Sequence, residues 1–563
     1  MKVPALTGPR KADGASGGTS RTAVGGALLL AGGVVAVIAV ISSGVLISRV
    51  HGAPPSNIEV AAATPSLSAA PAVAQSPAAN PAPSQTATPV TASLEPIVPV
   101  VSFWSAPFSI RLVEVARLWA GLADAVSDTE FSSIVVADGV ADPLAKAFRI
   151  PPAAGIRVLS AAQVKAAVRA SPSTLGLLAV DDVTPDVRAL SVDGVALFGS
   201  DRLRDVARWP LMVASTAPPA FSTASEWTLA AGGDVNLDRA VYVKAVSLGY
   251  GPDFPWSGGY AEVAHYECCG WQGASLAVAR DTGGAGALRA KFEQADIALV
   301  NLEGSAPDDF AYRANSLVFT FDPALLAGLR DAGIDAVSLA NNHIRNGGDQ
   351  GVLDTCKNLD AIGIAHAGAG ADTTAARRPA WLNAAGLRVA VLAYSAVGSD
   401  NWAAGDHPGA APLDPASITA DIKAARTAGA DIVIVMPHWG QEYSYALSSD
   451  QKNEAAAFIA AGADLVLGSH SHWVGAIQSV DGPDGPAFVD YSMGDLLFDL
   501  NHDVQAQEGV ILTLTFSGRR LVQVAMDPTV MIDGAQVALM SPAGDGRAVI
   551  VAIHAASRQL IDW

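Results

Sequence analysis

The chain has 563 residues, a formal charge of −19 at pH 7 and only three cysteines. Such an acid excess argues against nucleic-acid partners, which select basic faces, and three cysteines cannot build a disulfide framework. The length allows two or three hydrophobic cores once non-globular segments are set aside.

Residues 1–21 form a polar amino terminus with Lys2, Arg10, Lys11 and Arg21, and residues 22–48 that follow carry no charge. At about 1.5 Å per residue, the span 22–50 crosses a hydrocarbon core of about 30 Å. It reads as a single-pass transmembrane helix. The basic flank is expected to stay in the cytoplasm, which puts the later domains outside the cell membrane. A cleaved secretory signal shares the charged start. The apolar run is longer than a usual signal core, and no strong small-x-small site follows, so a retained anchor is favoured.

Residues 51–101 are dominated by Pro, Ala, Ser and Thr. Such a segment buries too little apolar area to offset its ordering entropy and reads as a disordered linker. Residues 102–223 read as a small α/β accessory domain, with strands over 132–136, 156–159 and 175–179 and a helix over 161–170. The stretch 175–194 resembles part of a periplasmic solute-binding lobe; a spacer or docking domain is the alternative.

From residue 224 the pattern repeats. Helical stretches at 323–331, 416–427 and 452–460 each end in an Ala-Gly pair, at Gly333, Gly429 and Gly462, before an apolar strand. Glycine takes the left-handed conformation after a last helical turn at least cost, so each unit reads as helix, stop, buried strand. In alternating α/β folds ligands collect beyond the carboxyl ends of the strands. Strand-like runs here end on Asp234, Glu303, Asn341-Asn342-His343, His438 and His470-Ser471-His472. Carboxylates and imidazoles gathered in this way suit a two-metal centre. Alone, a His-x-His reads as loop decoration and Asn341-Asn342 as a capping turn; five loops sharing one site is the more economical reading. An apparent insertion, 253–286, holds adjacent Cys268 and Cys269, read as free or buried thiols rather than a strained vicinal bridge. Runs at 511–516, 521–526 and 548–553 read as strands completing the second sheet.

Six motifs in order, Gly233-Asp234-Val235-Asn236-Leu237-Asp238-Arg239, Asn301-Leu302-Glu303, Ala340-Asn341-Asn342-His343, His438-Trp439-Gly440-Gln441-Glu442-Tyr443, Gly468-Ser469-His470-Ser471-His472 and Tyr491-Ser492-Met493-Gly494-Asp495, resemble the signature of the CapA family. CapA proteins are the capsule or poly-γ-glutamate biosynthesis branch of the calcineurin-like metallophosphoesterases. The resemblance covers residues 227–516. It implies that 224–563 form a four-layer α/β/β/α sandwich with a dinuclear site at one edge of the paired sheets.

Carried onto this chain, the resemblance gives Asp234 and His472 to one ion, Asn342, His438 and His470 to the other, and Glu303 to both. His343 is then the catalytic residue left free to protonate a leaving oxygen or to orient the attacked group. Asn236, Arg239, Asn341, Glu442 and Asp495 are candidate metal or substrate contacts. The cofactors implied are two divalent ions, Mn, Zn or Fe. The chain departs from the pattern at Asn236, where the superfamily usually has His, at Asp495, where CapA members usually have Asn, and at Asn346, where they usually have Asp. The function implied is biosynthesis, anchoring or release of a capsule-like envelope polymer. Its partners would be an anionic polymer or phosphorylated precursor and subunits of a polymer-synthesis complex. The alternative is a non-catalytic, metal- or polymer-binding scaffold of that complex.

Overall fold

In the computed structural model, residues 93–122, 131–215, 218–263, 286–314 and 316–560 are described. The expected anchor at 22–50, most of the linker, and Cys268 and Cys269 lie outside them. Among the described residues no helix is long and apolar enough to cross a membrane.

Two sheets carry the site. In the larger, Glu226–Val235, Ile297–Leu302, Ala336–Ser338 and Ala365–Ala367 run parallel. In the second, Leu387–Ser395, Ile432–His438, Leu465–Leu467 and Gly485–Asp490 do the same. Both faces of these strands are covered, so their sequences read as nearly continuous apolar runs rather than alternating ones. The period of two nevertheless decides which core each side chain joins. Ile297 and Leu299 pack between the sheets with Ile432, Ile434 and Met436. Ala298 and Val300 face outward, under helices that contribute Leu288, Phe292, Leu326, Leu329 and Leu359. Val433 and Val435 face the other way, beneath Ile418, Ile422 and Phe458. The layers are therefore helix, sheet, sheet, helix. Each buried Ile, Leu or Val contributes roughly 1.5–3 kcal/mol of transfer free energy.

The helix stops are as expected: Gly333, Gly429 and Gly462 have φ of 88°, 92° and 110°. The helix Ser449–Ala461 begins with a capping box in which Ser448 and Gln451 bond each other's backbone N–H, satisfying donors that a first turn leaves open.

Three expectations need correction. The run 548–553 is helical, within Arg547–Ser557; its buried residues Val549, Ile550, Ile553 and Ala556 fall at helical spacing. An unbroken apolar run does not by itself distinguish the two periods. The strands Glu508–Ser517 and Arg520–Ile532 join the larger sheet, beside Glu226–Val235, rather than completing the second. Finally, Ser93–Ser102, placed in the linker by composition, is a strand with Ile97, Val98, Val100 and Val101 fully buried. Pro96 and Pro99 fit because the strand is paired over residues 97–100 on one side and over 93–96 and 100–102 on the other, leaving edge positions where a missing N–H costs little.

That strand belongs to an accessory sheet with Ser133–Ala137, Arg157–Leu159, Thr174–Ala179 and Val187–Ala189. The expected elements of this α/β unit are present, and the unit is docked: the described residues belong to one compact body. The fully buried Arg202 side chain pairs with Glu226 at 3.2 Å and with Asp296 at 3.1 Å, and Val522 of the larger sheet packs into the accessory core.

Candidate metal centre

Because the central strands of each sheet are parallel, their carboxyl ends deliver polar side chains to one edge. Asp234 ends Glu226–Val235, Glu303 follows Ile297–Leu302, and His438 ends Ile432–His438. His470 and His472 follow Leu465–Leu467, and Asn341, Asn342 and His343 follow Ala336–Ser338. Gly233 makes the approach tight. A Cβ there would lie 1.8 Å from the Gly494 carbonyl oxygen, so only glycine lets the backbone before Asp495–Leu497 lie against Glu226–Val235 and set Asp495 opposite Asp234.

The convergence is close. Ligand atoms of Glu303, His438 and His470 all lie within 4.8 Å of one another, as do those of Asp234, Glu303 and His472. Glu303 belongs to both groups, and all five residues are buried. His470 and His472 have φ of 93° and 58°, a region that imidazole side chains seldom occupy and that marks a constrained loop.

Neighbouring groups fix the ring orientations. Nδ1 of His438 lies 2.9 Å from the Ser469 hydroxyl, and its Nε2 lies 2.8 Å from Asn342 Oδ1 and 3.8 Å from Glu303 Oε1. Asn342 is thus brought to the face of His438 that meets Glu303. Asn301, fully buried, donates to Asp234 Oδ1 at 2.7 Å, and the His470 backbone N–H donates to Asp234 Oδ2 at 3.1 Å. Both carboxylate oxygens of Glu303 and Nδ1 of His470 are buried without a hydrogen-bond partner among the described residues.

The electrostatics are those of a site that wants positive charge. Burial pushes the Asp234 carboxyl up, and burial together with the Asp234 charge pushes Glu303 well up. Burial holds His438 well below the usual imidazole range and His470 at about 3, with neighbouring imidazoles adding to both shifts. His472 runs the other way. Burial opposes its charging, but the Asp495 carboxylate beside it, with Glu303 and Asp234, raises its pKa to about 10. A proton there neutralises part of the acid cluster. Neutral imidazoles at His438 and His470, carboxylates at Asp234 and Glu303, and unpartnered acceptors suit borderline divalent ions such as Mn, Fe or Zn.

His343 stands at the rim. Its Nε2 is 3.8 Å from Glu303 Oε1, and its Nδ1 is 2.9 Å from Asn346 Oδ1, which also accepts the Phe319 N–H at 2.7 Å. An amide oxygen can only accept, so the network assigns the proton to Nδ1 and leaves Nε2 bare in the neutral ring.

The other candidates hold the frame. Asn341 donates to the Leu302 carbonyl and accepts the His343 N–H. Asn236 donates to the Glu303 carbonyl at 3.0 Å and accepts the Asp238 N–H at 2.9 Å, so backbone groups engage both ends of its amide. Arg239 pairs with Asp499 and lies over the Phe319 ring at 4.9 Å; its charge already has a counterion. Glu442 is exposed on the loop after His438. The sequence reading gave no role to Asn301 or Ser469. A lone polar residue inside the buried run Ile-Ala-Leu-Val-Asn-Leu was the available signal for the first.

Residues 228–500 match the model for the bacterial capsule synthesis protein family PGA_cap. Over this span the chain is CapA-like. All six motifs lie inside the matched residues, and the expected CapA resemblance is borne out. The capsule biosynthesis protein CapA of Bacillus anthracis is 32% identical over 179 residues, covering 30% of this chain and 42% of that protein. A probable polyglutamine synthesis accessory protein of Mycobacterium tuberculosis is 34% identical over 218 residues, covering 36% of this chain and 56% of that protein. The chain thus spans about half the length of these relatives or less. Among solved structures, the calcineurin-like phosphoesterase YfkN of Bacillus subtilis aligns over 59% of this chain and 97% of its own with 12% identity and a TM-score of 0.28.

Proposed function

We propose that this CapA-like chain is a metal-dependent hydrolase-type enzyme of the cell envelope. It would be anchored by residues 22–50, face outward, and act on a capsule-like anionic polymer or a phosphorylated precursor of it. The observation that carries the reading is Glu303, shared by two compact ligand groups. In a metallophosphoesterase-like sandwich, Asp234 and His472 would hold one ion, Asn342, His438 and His470 the other, and Glu303 both. Two such ions supply Lewis acidity and activate water at neutral pH.

The chain's own residues do the rest. Ser469 and Asn301 hold His438 and Asp234 in place, Asp495 orients His472, and Asn346 keeps the Nε2 of His343 turned toward Glu303. Once protonated, that nitrogen gives its proton to a leaving oxygen; neutral, it accepts one from an attacking group. The chemistry extends from phosphoester cleavage to transfer or amide-bond reactions at an envelope polymer.

The test uses purified full-length protein assayed for metal content and for hydrolysis of phosphomonoesters, phosphodiesters and poly-γ-glutamate. About two equivalents of metal, with turnover lost in His343→Ala, supports the enzyme. Bound metal without turnover on any of these substrates supports instead a scaffold in a polymer-synthesis complex. The engaged amide of Asn236, at a position where the superfamily usually has a histidine, is the feature that favours this second reading.

A further inference from the structure

Away from the acid cluster, two arginines meet where the accessory sheet joins the main body. Arg188, on the strand Val187–Ala189, is 5% exposed. Its Nε donates to the Phe103 carbonyl at 3.3 Å, its Nη2 donates to the Ser105 carbonyl, and its flat face lies 3.9 Å from the Phe108 ring centre. Arg547, the first residue of Arg547–Ser557, donates through Nη2 to the Trp104 carbonyl at 2.8 Å. Each guanidinium is left with a buried Nη1 that has no partner among the described residues, and the Ser105 hydroxyl is a third buried group without one.

These three residues line one cavity of about 10 Å³, walled otherwise by Phe103, Phe108, Val524, Met526 and Ile550. No ion pair joins either arginine to a carboxylate among the described residues. Two like charges therefore face a shared space, and burial, with Arg547 adding to it, pushes the Arg188 guanidinium down to about 9. Leaving the buried Arg188 guanidinium unmatched is costly, because a buried charge requires a partner.

The character of the lining identifies the partner. A water molecule could accept from both guanidinium groups and donate to the Ser105 hydroxyl, but it would bring no charge to set against theirs. An anion supplies both an acceptor for the two unpartnered Nη1 groups and the Ser105 hydroxyl and the counter-charge that the arginines lack. The cavity is small, about 10 Å³, which favours a monoatomic anion over sulfate, phosphate or a carboxylate. We propose that Arg188, Arg547 and Ser105 bind one monoatomic anion of the halide class, with chloride as the natural occupant, joining the accessory sheet to the larger sheet and the carboxy-terminal helix.

Thermal unfolding of the full-length chain at fixed ionic strength, in sodium chloride, sodium bromide or sodium gluconate, tests this. The halide salts are expected to raise Tm by roughly 2–4 °C in a saturable way, and Arg547→Gln, which leaves Arg188 in place, should abolish the difference. Bromide-soaked crystals of the wild-type chain should give an anomalous peak between the two guanidinium groups, a readout that does not depend on how the variant folds. Equal Tm in halide and gluconate, or bromide peaks only elsewhere on the protein, overturns the proposal. Because the readouts are stability and anion position, they are separate from any failure of the metal-site reading.

Discussion

Nδ1 of His472 lies 2.9 Å from Oδ1 of Asp495, with both side chains sealed from solvent. The contact makes Asp495 the counter-charge that keeps a proton on His472, at a ring the metal reading needs in its neutral form. Proton and metal therefore compete at this residue, and metal binding should release the proton.

The first consequence is a pH-dependent stability in chelator. Above about pH 7 an unfolded chain holds almost no proton on Asp, Glu or His, whereas the folded chain retains them at Glu226 (about 8) and His472 (about 10). These raised values mean that the folded form binds more protons, so its stability falls as pH rises from 7 toward 10. Thermal unfolding in chelator should show Tm dropping across that window, and Asp495→Asn should flatten the drop. A Tm that rises with pH in chelator contradicts the assignment.

Glu303→Gln is predicted to remove the shared ligand while keeping the shape of the side chain. Metal content should fall from about two equivalents to one or fewer, and activity by roughly 100-fold or more. Elemental analysis and turnover of the same preparation check both. Full metal content in the variant would show that Glu303 is not shared.

Asn346 positions His343 without reaching the cluster itself. Asn346→Ala frees the ring, and kcat should fall by roughly 10–100-fold while metal content stays at the wild-type value. An unchanged kcat would remove Asn346 from the account.

Packing is tested far from the chemistry. Ile434 is fully buried between the sheets, and Ile434→Ala should cost about 2–5 kcal/mol, read by denaturant unfolding, with activity per folded molecule preserved.

Much of the centre was legible because each strand announced itself as an apolar run and each ligand as the polar residue that ended it. Asp234, Glu303, His438, His470 and His472 were found in this way, and the structure brings them together. The supporting groups were harder to read. Asn301 and Ser469 act through contacts with residues far along the chain, Asp234 and His438, and no local period encodes such pairs. The strand Ser93–Ser102 was hidden by Pro96 and Pro99, since composition registers proline without knowing which edge is unpaired. Residues 548–553 misled in the opposite direction: an apolar run suits a buried strand or a buried helix, and only packing chose. Docking of the accessory sheet rests on long-range pairs such as Arg202 with Glu226.

Anomalous diffraction from the full-length protein loaded with manganese tests the central claim most directly. The account predicts two peaks roughly 3.5–4 Å apart, one beside Asp234 and His472, the other beside Asn342, His438 and His470, with Glu303 touching both. A single peak, or manganese bound only outside this cluster, would contradict it.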